Sequence, residues 1–108
     1  MTIANGHHAV FTRSRLGGIE LRNRIIKTAT YEGMCPDGVP SAALIEHHRA
    51  LAAGGVGMTT VAYCAVSPNG RTFAEQMYMR DAIVPKLREL TRAVHDEGAA
   101  ASIQLGHC

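Results

Sequence analysis

The chain has 108 residues, of which 46% are hydrophobic and 19% charged, a composition typical of one globular domain rather than a disordered or fibrous segment. Its 11 basic and 9 acidic residues are spread along the sequence and give a net charge of +2, which disfavours nucleic acid as a partner. No apolar run approaches the roughly 18 residues of a membrane span, and residues 1–13 lack the apolar core of a signal peptide, so we expect a cytoplasmic protein that has no membrane partner.

The chain is predicted to begin with a tail, a hairpin and a strand. Residues 1–10 show no periodicity and are expected to form a flexible tail. Residues 11–22 alternate in short pieces around Gly17-Gly18, a dipeptide that suits a tight hairpin because glycine accepts positive φ. Residues 24–29 then predict a first strand, which is apolar and β-branched where it starts, as a buried strand should be, and rich in hydroxyl groups where it ends. This change of character is the first indication of a functional site.

A loop and a helix come next. Residues 33–40 contain two glycines and two prolines, and Ser41 stands where a helix N-cap belongs. The spacing predicts a helix over residues 42–53 that ends at Gly54-Gly55. Its apolar stripe comprises Leu44, Ile45, His48, Leu51 and Ala52.

The remainder predicts a second strand, a second helix and a third strand. Residues 56–66 are uncharged and indicate a strand that is buried on both faces. A turn and a long loop lead to Asp81, which is predicted to cap a helix that ends near Glu97. Residues 99–105 form a short third strand of small residues. The core face of the second helix comprises Ile83, Leu87, Leu90 and Val94.

A hairpin followed by β-α-β-α-β indicates an α/β fold with parallel strands. Doubly wound sheets and (β/α)₈ barrels both begin in this way. A complete barrel takes about 250 residues, so this chain would supply only the first three or so of its strands. Three strands and two helices leave sheet edges uncovered, and we therefore expect residues 11–108 to be part of a larger domain.

The cysteines and histidines give no metal motif. Cys35, Cys64 and Cys108 are widely spaced without a Cys-x-x-Cys pair, which indicates free thiols. The adjacent His47 and His48 point about 100° apart on a helix. We therefore predict no metal site here, and we expect one exposed and one half-buried ring.

Polar residues gather where the predicted strands end. Ligands of parallel sheets bind beyond the carboxyl ends of the strands, which here are residues 28–31, 63–65 and 104–107. Hydroxyl, amide and imidazole groups at matching strand ends can hydrogen-bond a planar heterocycle along its edge. The residues that offer such groups are Thr28, Thr30, Tyr31, Gln104 and His107. By contrast, the glycines at 54, 55 and 57 precede a strand rather than a helix, so they are not a phosphate loop.

Four motifs then resemble one family. Leu21-Arg22-Asn23-Arg24-Ile25-Ile26 resembles the entry to the first strand of the old yellow enzyme family of NADH:flavin oxidoreductases. Gly54-Gly55-Val56-Gly57-Met58, Val94-His95 with Gly98-Ala99, and Gln104-Leu105-Gly106-His107 are similar to later motifs of that family. They follow in the family's order and at compatible spacings from about Phe11 onward.

The resemblance implies a (β/α)₈ TIM barrel that holds FMN at the carboxyl ends of its strands. NADH or NADPH would reduce the flavin, and an activated alkene or related small-molecule acceptor would oxidise it. The cofactor-binding residues that the resemblance implies are Thr28, Ala29, Thr30, Tyr31, Tyr63 and Gln104. Tyr31 and Tyr63 depart from the usual family residues, and Tyr63-Cys64 resembles the branch that contains trimethylamine dehydrogenase, where the tyrosine belongs to an aromatic substrate pocket. Both are thus candidate pocket residues, and no catalytic residue is assigned.

The family's later histidine pair, proton-donating tyrosine and phosphate-binding arginine have no counterpart within the 108 residues. We therefore expect an amino-terminal portion of the enzyme that is inactive alone. One alternative is a non-catalytic βαβ module that assembles with another chain, either the remainder of a barrel or a second copy. A complete small doubly wound domain is disfavoured because no phosphate loop is present. The acceptor, the choice between NADH and NADPH and the oligomeric state are not determined by the sequence.

Overall fold

The computed structural model describes residues 8–108. Most of the predicted tail, residues 1–10, lies outside the described residues. Ala9–Phe11 forms a 3₁₀ turn, and the Val10 carbonyl accepts a hydrogen bond from the Arg24 amide at 2.9 Å. The predicted hairpin is confirmed: β1 (Ser14–Leu16) and β2 (Ile19–Leu21) pair antiparallel across a turn in which Gly17 has a φ of +60°.

Three parallel strands form the main sheet. They are β3 (Ile26–Lys27), β4 (Met58–Ala65) and β5 (Ala100–Gly106), in that spatial order. Helix α1 (Ala42–Ala53) connects β3 to β4, and helix α2 (Val84–Asp96) connects β4 to β5. The predicted order of elements is confirmed. Within residues 8–108 the three strands do not close into a barrel.

Strand β3 is shorter and less buried than the prediction for residues 24–29. The Ile25 amide bonds the Asn23 side chain instead of a neighbouring strand, and pairing with β4 stops at Lys27. Ile25 and Ile26 are 37% and 40% exposed because β3 is the edge of the sheet. The rule that apolar β-branched residues mark a buried strand was therefore wrong at this position.

Helix α1 begins and ends as predicted. The Ser41 hydroxyl accepts a hydrogen bond from the Leu44 amide at 3.2 Å, which satisfies one of the free amides of the first turn. Gly55, with a φ of +112°, lets the chain leave the helix in a left-handed conformation. Leu44, His48 and Ala52 of the predicted stripe are buried.

The predicted N-cap of the second helix, Asp81, is wrong. Asp81–Ile83 forms a 3₁₀ turn, and α2 begins only at Val84 with Ile83 as its N-cap. Pro85 has no amide proton, so it suits the first turn of the helix, and the tight turn before it places Asp81 too early to cap the helix. The predicted core face is confirmed by the full burial of Ile83, Leu90 and Val94.

Both helices share one core against β4. Its buried members include Leu44 of α1, Val61 and Cys64 of β4, and Leu90 and Val94 of α2. Strand β4 is largely buried on both faces, as predicted. None of the helices within residues 8–108 has the length and apolar character needed to cross a bilayer.

Arg22 joins the amino-terminal end of the sheet to both helices. Its guanidinium donates to the carbonyls of Ala52 at 2.5 Å, Val56 at 2.9 Å and Glu97 at 2.7 Å. These carbonyls lie at or just beyond the carboxyl ends of α1 and α2, where helices leave acceptors without an internal partner. Arg22 therefore fixes both helix ends beside the start of the first parallel strand.

Asn23 makes a second connection at the same end. Its side chain donates to the Gly55 carbonyl at 2.6 Å. A Cβ atom on Gly57 would lie 2.7 Å from both the backbone and the side-chain oxygen of Asn23, so only glycine fits there. Motifs that are distant in the sequence thus contact one another directly, and they support the fold at the end of the sheet opposite the predicted site.

Candidate functional site

Two of the predicted site residues meet at the carboxyl ends of the strands. The rings of Tyr31, which follows β3, and Tyr63, near the end of β4, lie edge to face with their centroids 5.9 Å apart. Phe73, from the long loop after β4, stacks on Tyr31 at 4.6 Å with an interplanar angle of 25°. The sequence did not predict this third ring, because the loop has no periodic pattern. Together Tyr31, Tyr63 and Phe73 form what we call the aromatic cluster.

The other predicted cofactor-binding residues lie after β3, at positions 28–30, and within β5, at Gln104. Thr28, Thr30 and Gln104 are exposed, and Ala29 is half-buried. The Thr30 hydroxyl lies 3.5 Å from the Thr28 carbonyl. No side-chain hydrogen bond within residues 8–108 joins Gln104 to either threonine. The strand ends therefore place donors and acceptors at the surface, where a ligand can reach them.

His107, another strand-end candidate, packs against the turn after β4. A Cβ atom on Gly70 would collide with the His107 ring, and the Cys108 amide donates to the Gly70 carbonyl at 2.9 Å. The Ser67 hydroxyl lies 3.5 Å from His107 Nδ1. These contacts hold the residues after β5 beside the residues after β4.

A buried polar network lies directly behind the aromatic cluster. The Glu32 carboxylate, whose side chain is 4% exposed, accepts hydrogen bonds from His48 Nε2 at 2.9 Å and the Ala62 amide at 3.2 Å, and it pairs with the Lys27 ammonium at 3.6 Å. His48 Nδ1 lies 2.7 Å from the Thr59 hydroxyl. All of the charged and polar groups of this network thus have partners.

Sequence reasoning missed this network and was wrong about one of its members. His48 is fully buried rather than exposed or half-buried, whereas His47 is half-buried. A signal was present, because a histidine on the apolar stripe of a helix must find polar partners inside the protein. Glu32, next to Tyr31 in the chain, is that partner.

The network includes a group that could be considered as a metal site. Glu32, His47 and His48 can each offer one ligand atom, and these atoms lie within 4.8 Å of one another. Within residues 8–108 this is the group of three side chains that could hold a metal ion. However, both ring nitrogens of His48 already have protein partners, and Lys27 brings a positive charge to the same carboxylate oxygen. The arrangement favours a hydrogen-bonded ion network over a cation site. The expected absence of a metal stays a prediction.

An open cavity adjoins the network and the aromatic cluster. It has a volume of about 350 Å³ and is lined by Lys27, Thr30, Tyr31, Glu32, Met34 and His47. Burial, and then the nearby Glu75 carboxylate, raise the pKa of the Tyr31 phenol, which is protonated at neutral pH even without this shift. Burial, His48 and Lys27 lower the pKa of His47, which favours a neutral ring. The cavity can therefore offer a phenol donor and a cationic ammonium group.

The parallel strands and their helical connections define an α/β fold, and polar and aromatic side chains lie at the carboxyl ends of these strands. A family model described as the NADH:flavin oxidoreductase / NADH oxidase family matches residues 9–108. The chain belongs to this family, which confirms the resemblance seen in the sequence. The description of this family names NADH and flavin, which are the reductant and the type of cofactor that the resemblance implied.

Curated relatives are similar over most of this chain. A 4,4'-dithiodibutanoate disulfide reductase of Rhodococcus erythropolis is 52% identical over 99 residues, which are 92% of this chain and 25% of the relative. An NADPH dehydrogenase of Halalkalibacterium halodurans is 33% identical over 103 residues, or 93% of this chain and 30% of the relative. The chain thus spans less than a third of either relative.

Solved structures show the same fold. Morphinone reductase in complex with tetrahydroNAD superposes with a TM-score of 0.83 at 24% identity, covering 94% of this chain and 28% of that one. An old yellow enzyme from a Pichia species superposes with a TM-score of 0.83 at 20% identity, covering 92% of this chain and 26% of that one. At these identities the likeness concerns the fold alone. It confirms that the chain has the fold of the amino-terminal portion of a TIM barrel.

Proposed function

We propose that this chain is the amino-terminal portion of an FMN-dependent oxidoreductase that passes reducing equivalents from NADH or NADPH to a small-molecule acceptor. The aromatic cluster carries the proposal, because it lies at the strand ends where barrels of this type bind ligands. The match to the family over residues 9–108 supports it. The chain spans 25% of the Rhodococcus relative, which supports the view that further barrel elements complete the site.

The residues at the strand ends fit a flavin. The pyrimidine edge of the isoalloxazine ring alternates carbonyl oxygens and nitrogens, so it needs both donors and acceptors. The exposed Gln104 amide offers both kinds of group, and the exposed hydroxyls of Thr28 and Thr30 can act as either. We therefore assign cofactor binding to Thr28, Ala29, Thr30, Tyr31, Tyr63 and Gln104. When bound, FMN supplies the ring that accepts and returns a hydride, and the protein supplies orientation and hydrogen bonds.

Tyr31 and Tyr63 serve as pocket residues in this proposal. Their edge-to-face contact presents two apolar ring surfaces and two phenol groups at one strand end. The hydroxyl of a tyrosine is protonated at neutral pH, and the raised pKa of Tyr31 leaves it a hydrogen-bond donor there. Such a pair can pack against a flat or unsaturated ligand and donate a hydrogen bond to its polar end.

The acceptor is an activated alkene or a related electrophile. The name of the Rhodococcus relative states that it reduces an organic disulfide. Because that relative is 52% identical over the region that carries the aromatic cluster, 4,4'-dithiodibutanoate belongs among the acceptors to be tested beside alkenes.

A non-catalytic module that assembles with another chain is the second candidate. The exposed apolar side chains at the sheet edges favour it, since Leu105 is 56% and Ile26 40% exposed. A second copy or the remainder of the barrel would cover them. A monomeric protein that unfolds in one cooperative thermal transition would contradict this candidate.

The decisive experiment is to express the complete reading frame that contains this chain and to measure FMN and turnover. We expect stoichiometric FMN and NADH- or NADPH-dependent reduction of an alkene or disulfide in the panel, whereas the 108-residue chain alone should bind FMN weakly and not turn over. Complete protein that is colourless and cannot be loaded with FMN would refute the proposal.

A pair of variants tests the assigned residues. Gln104→Ala should weaken FMN binding by about tenfold, because it removes hydrogen bonds to the ring. Arg92→Ala, on the exposed surface of α2, is the control and should leave FMN binding unchanged. Equal affinities in the two variants would remove Gln104 from the site.

A further inference from the structure

Glu32 links the two tyrosines of the aromatic cluster through the backbone. It follows Tyr31 in the chain, and its carboxylate accepts a hydrogen bond from the amide of Ala62, the residue before Tyr63. The path from one tyrosine to the other therefore crosses a single non-covalent contact of 3.2 Å. A carboxylate in this position fixes the distance between the two backbone segments that carry the rings.

The Ala62 amide is available because β3 ends before reaching it. Amides on this side of β4 face β3, as the Met58 amide does when it donates to the Ile25 carbonyl at 3.3 Å. The pairing of β3 with β4 stops at Lys27 and Thr59, three residues before Ala62. Ala62 is 4% exposed, so its amide needs an acceptor inside the protein. Glu32 supplies that acceptor.

Glu32 is itself held from three sides. Lys27, on the neighbouring strand, neutralises its charge, and His48, on α1, donates from Nε2. His48 Nδ1 lies 2.7 Å from the Thr59 hydroxyl, so the ring has a hydrogen-bond partner at each nitrogen. The carboxylate is therefore held in place by α1 and β3, and it can fix where the backbone segments of the two tyrosines lie.

We propose that Glu32 is a positioning residue that keeps Tyr31 and Tyr63 in edge-to-face contact by accepting a hydrogen bond from the Ala62 amide, which lies beyond the end of β3. That the tyrosines contact the flavin and the acceptor rests on the proposed function. The role of Glu32 in holding the two rings together does not depend on it. Glu32 acts through the two tyrosines and is not a catalytic residue.

The test compares Glu32→Ala with Glu32→Gln in the complete protein. The amide oxygen of glutamine can still accept from Ala62, whereas alanine cannot. We expect Glu32→Ala to speed hydrogen exchange of the Ala62 amide by about tenfold and to separate the two rings in a crystal structure, and Glu32→Gln to retain the ring contact with exchange about fivefold faster at most. Glu89→Gln, an exposed glutamate on α2, is the matched control and should change neither property.

Rescue by glutamine separates positioning from charge compensation. If Glu32 only neutralised Lys27, both variants would lose the ring contact equally, and that result would overturn the proposal. Rings that stay in contact in Glu32→Ala would overturn it as well. Should Glu32→Ala fail to fold, Glu32→Gln decides alone: a separated tyrosine pair in that variant contradicts the role of the acceptor.

A kinetic measurement connects the proposal to the reaction. In FMN-loaded protein, Glu32→Ala should raise KM for the acceptor about tenfold, whereas Glu32→Gln should keep KM within about twofold of the parent. An unchanged KM despite separated rings would overturn the functional part of the proposal. If the complete protein binds no FMN, the proposed function fails, and the exchange and crystallographic measurements still decide the role of Glu32.

Discussion

Replacing Arg22 with methionine removes the guanidinium that joins the ends of both helices to the start of the sheet, while it keeps an unbranched apolar side chain of similar length. The carbonyls of Val56 and Glu97 lose a charged donor at 2.9 Å and 2.7 Å. The Ala52 carbonyl loses one at 2.5 Å but keeps the Gly55 amide as a second donor at 3.0 Å. The perturbation therefore concerns hydrogen bonds far more than packing.

The free energy of unfolding should fall by about 2–3 kcal/mol. Arg22 is only partly buried, so water replaces some of what is lost. We count about 1 kcal/mol for each of the Val56 and Glu97 carbonyls and less for Ala52. The guanidinium also lies near the negative ends of two helix dipoles, and its loss adds a few tenths of a kcal/mol, or about 0.3 for each helix.

Urea denaturation followed by circular dichroism measures this effect. With a slope of about 2 kcal/mol per molar urea, the midpoint of Arg22→Met should fall by roughly 1–1.5 M. Arg13→Met is the matched control, because Arg13 makes an ion pair with Glu20 but its side chain is 76% exposed, and such pairs contribute about 0–1 kcal/mol. Equal midpoints for the two variants would refute the role given to Arg22.

Three further outcomes follow from the same contacts and from burial. Gly57→Ala should lower the free energy of unfolding by about 1–3 kcal/mol, because its methyl group would lie 2.7 Å from two oxygens of Asn23, whereas Gly18→Ala, whose methyl meets no described atom within 4 Å, should change the melting temperature little. At pH 8 a thiol reagent should modify exposed Cys108 well before buried Cys35, whose pKa burial and then Glu32 raise from 9.0 to about 11. Cys35 loses its proton at a lower pH in the unfolded protein than in the folded protein. The free energy of unfolding should therefore fall as the pH rises from 9.0 to about 11. Comparable modification rates for the two thiols in the native state would contradict this assignment.

The helices could be predicted from the sequence because their signals are local. Ser41 caps α1 through the Leu44 amide, three residues away, and the glycines that end α1 act within two residues. Where two local signals competed, the prediction failed: Asp81 is a good cap, but Pro85 and the tight turn before it move the start of α2 to Val84.

The topology of the fold alone predicted one part of the site, the contact between two of its tyrosines. Parallel strands end at one edge, which places Tyr31 and Tyr63 together without any knowledge of side chains. Glu32 and Phe73 were missed for a different reason. The role of Phe73 depends on the path of a loop, and that of Glu32 depends on where β3 stops pairing with β4, and neither is expressed in hydrophobic periodicity.

The aromatic cluster also gives the protein a built-in optical reporter. The chain has no tryptophan and three tyrosines, so its ultraviolet emission comes from tyrosine. Two of the three lie in the cluster, and the third, Tyr78, packs between the guanidinium groups of Arg71 and Arg80, 5.0 Å and 3.9 Å from its ring centre. A ligand that enters the cluster would therefore change the emission of most of the fluorophores in the chain. Occupancy of the strand ends can be followed in solution without a label and without turnover.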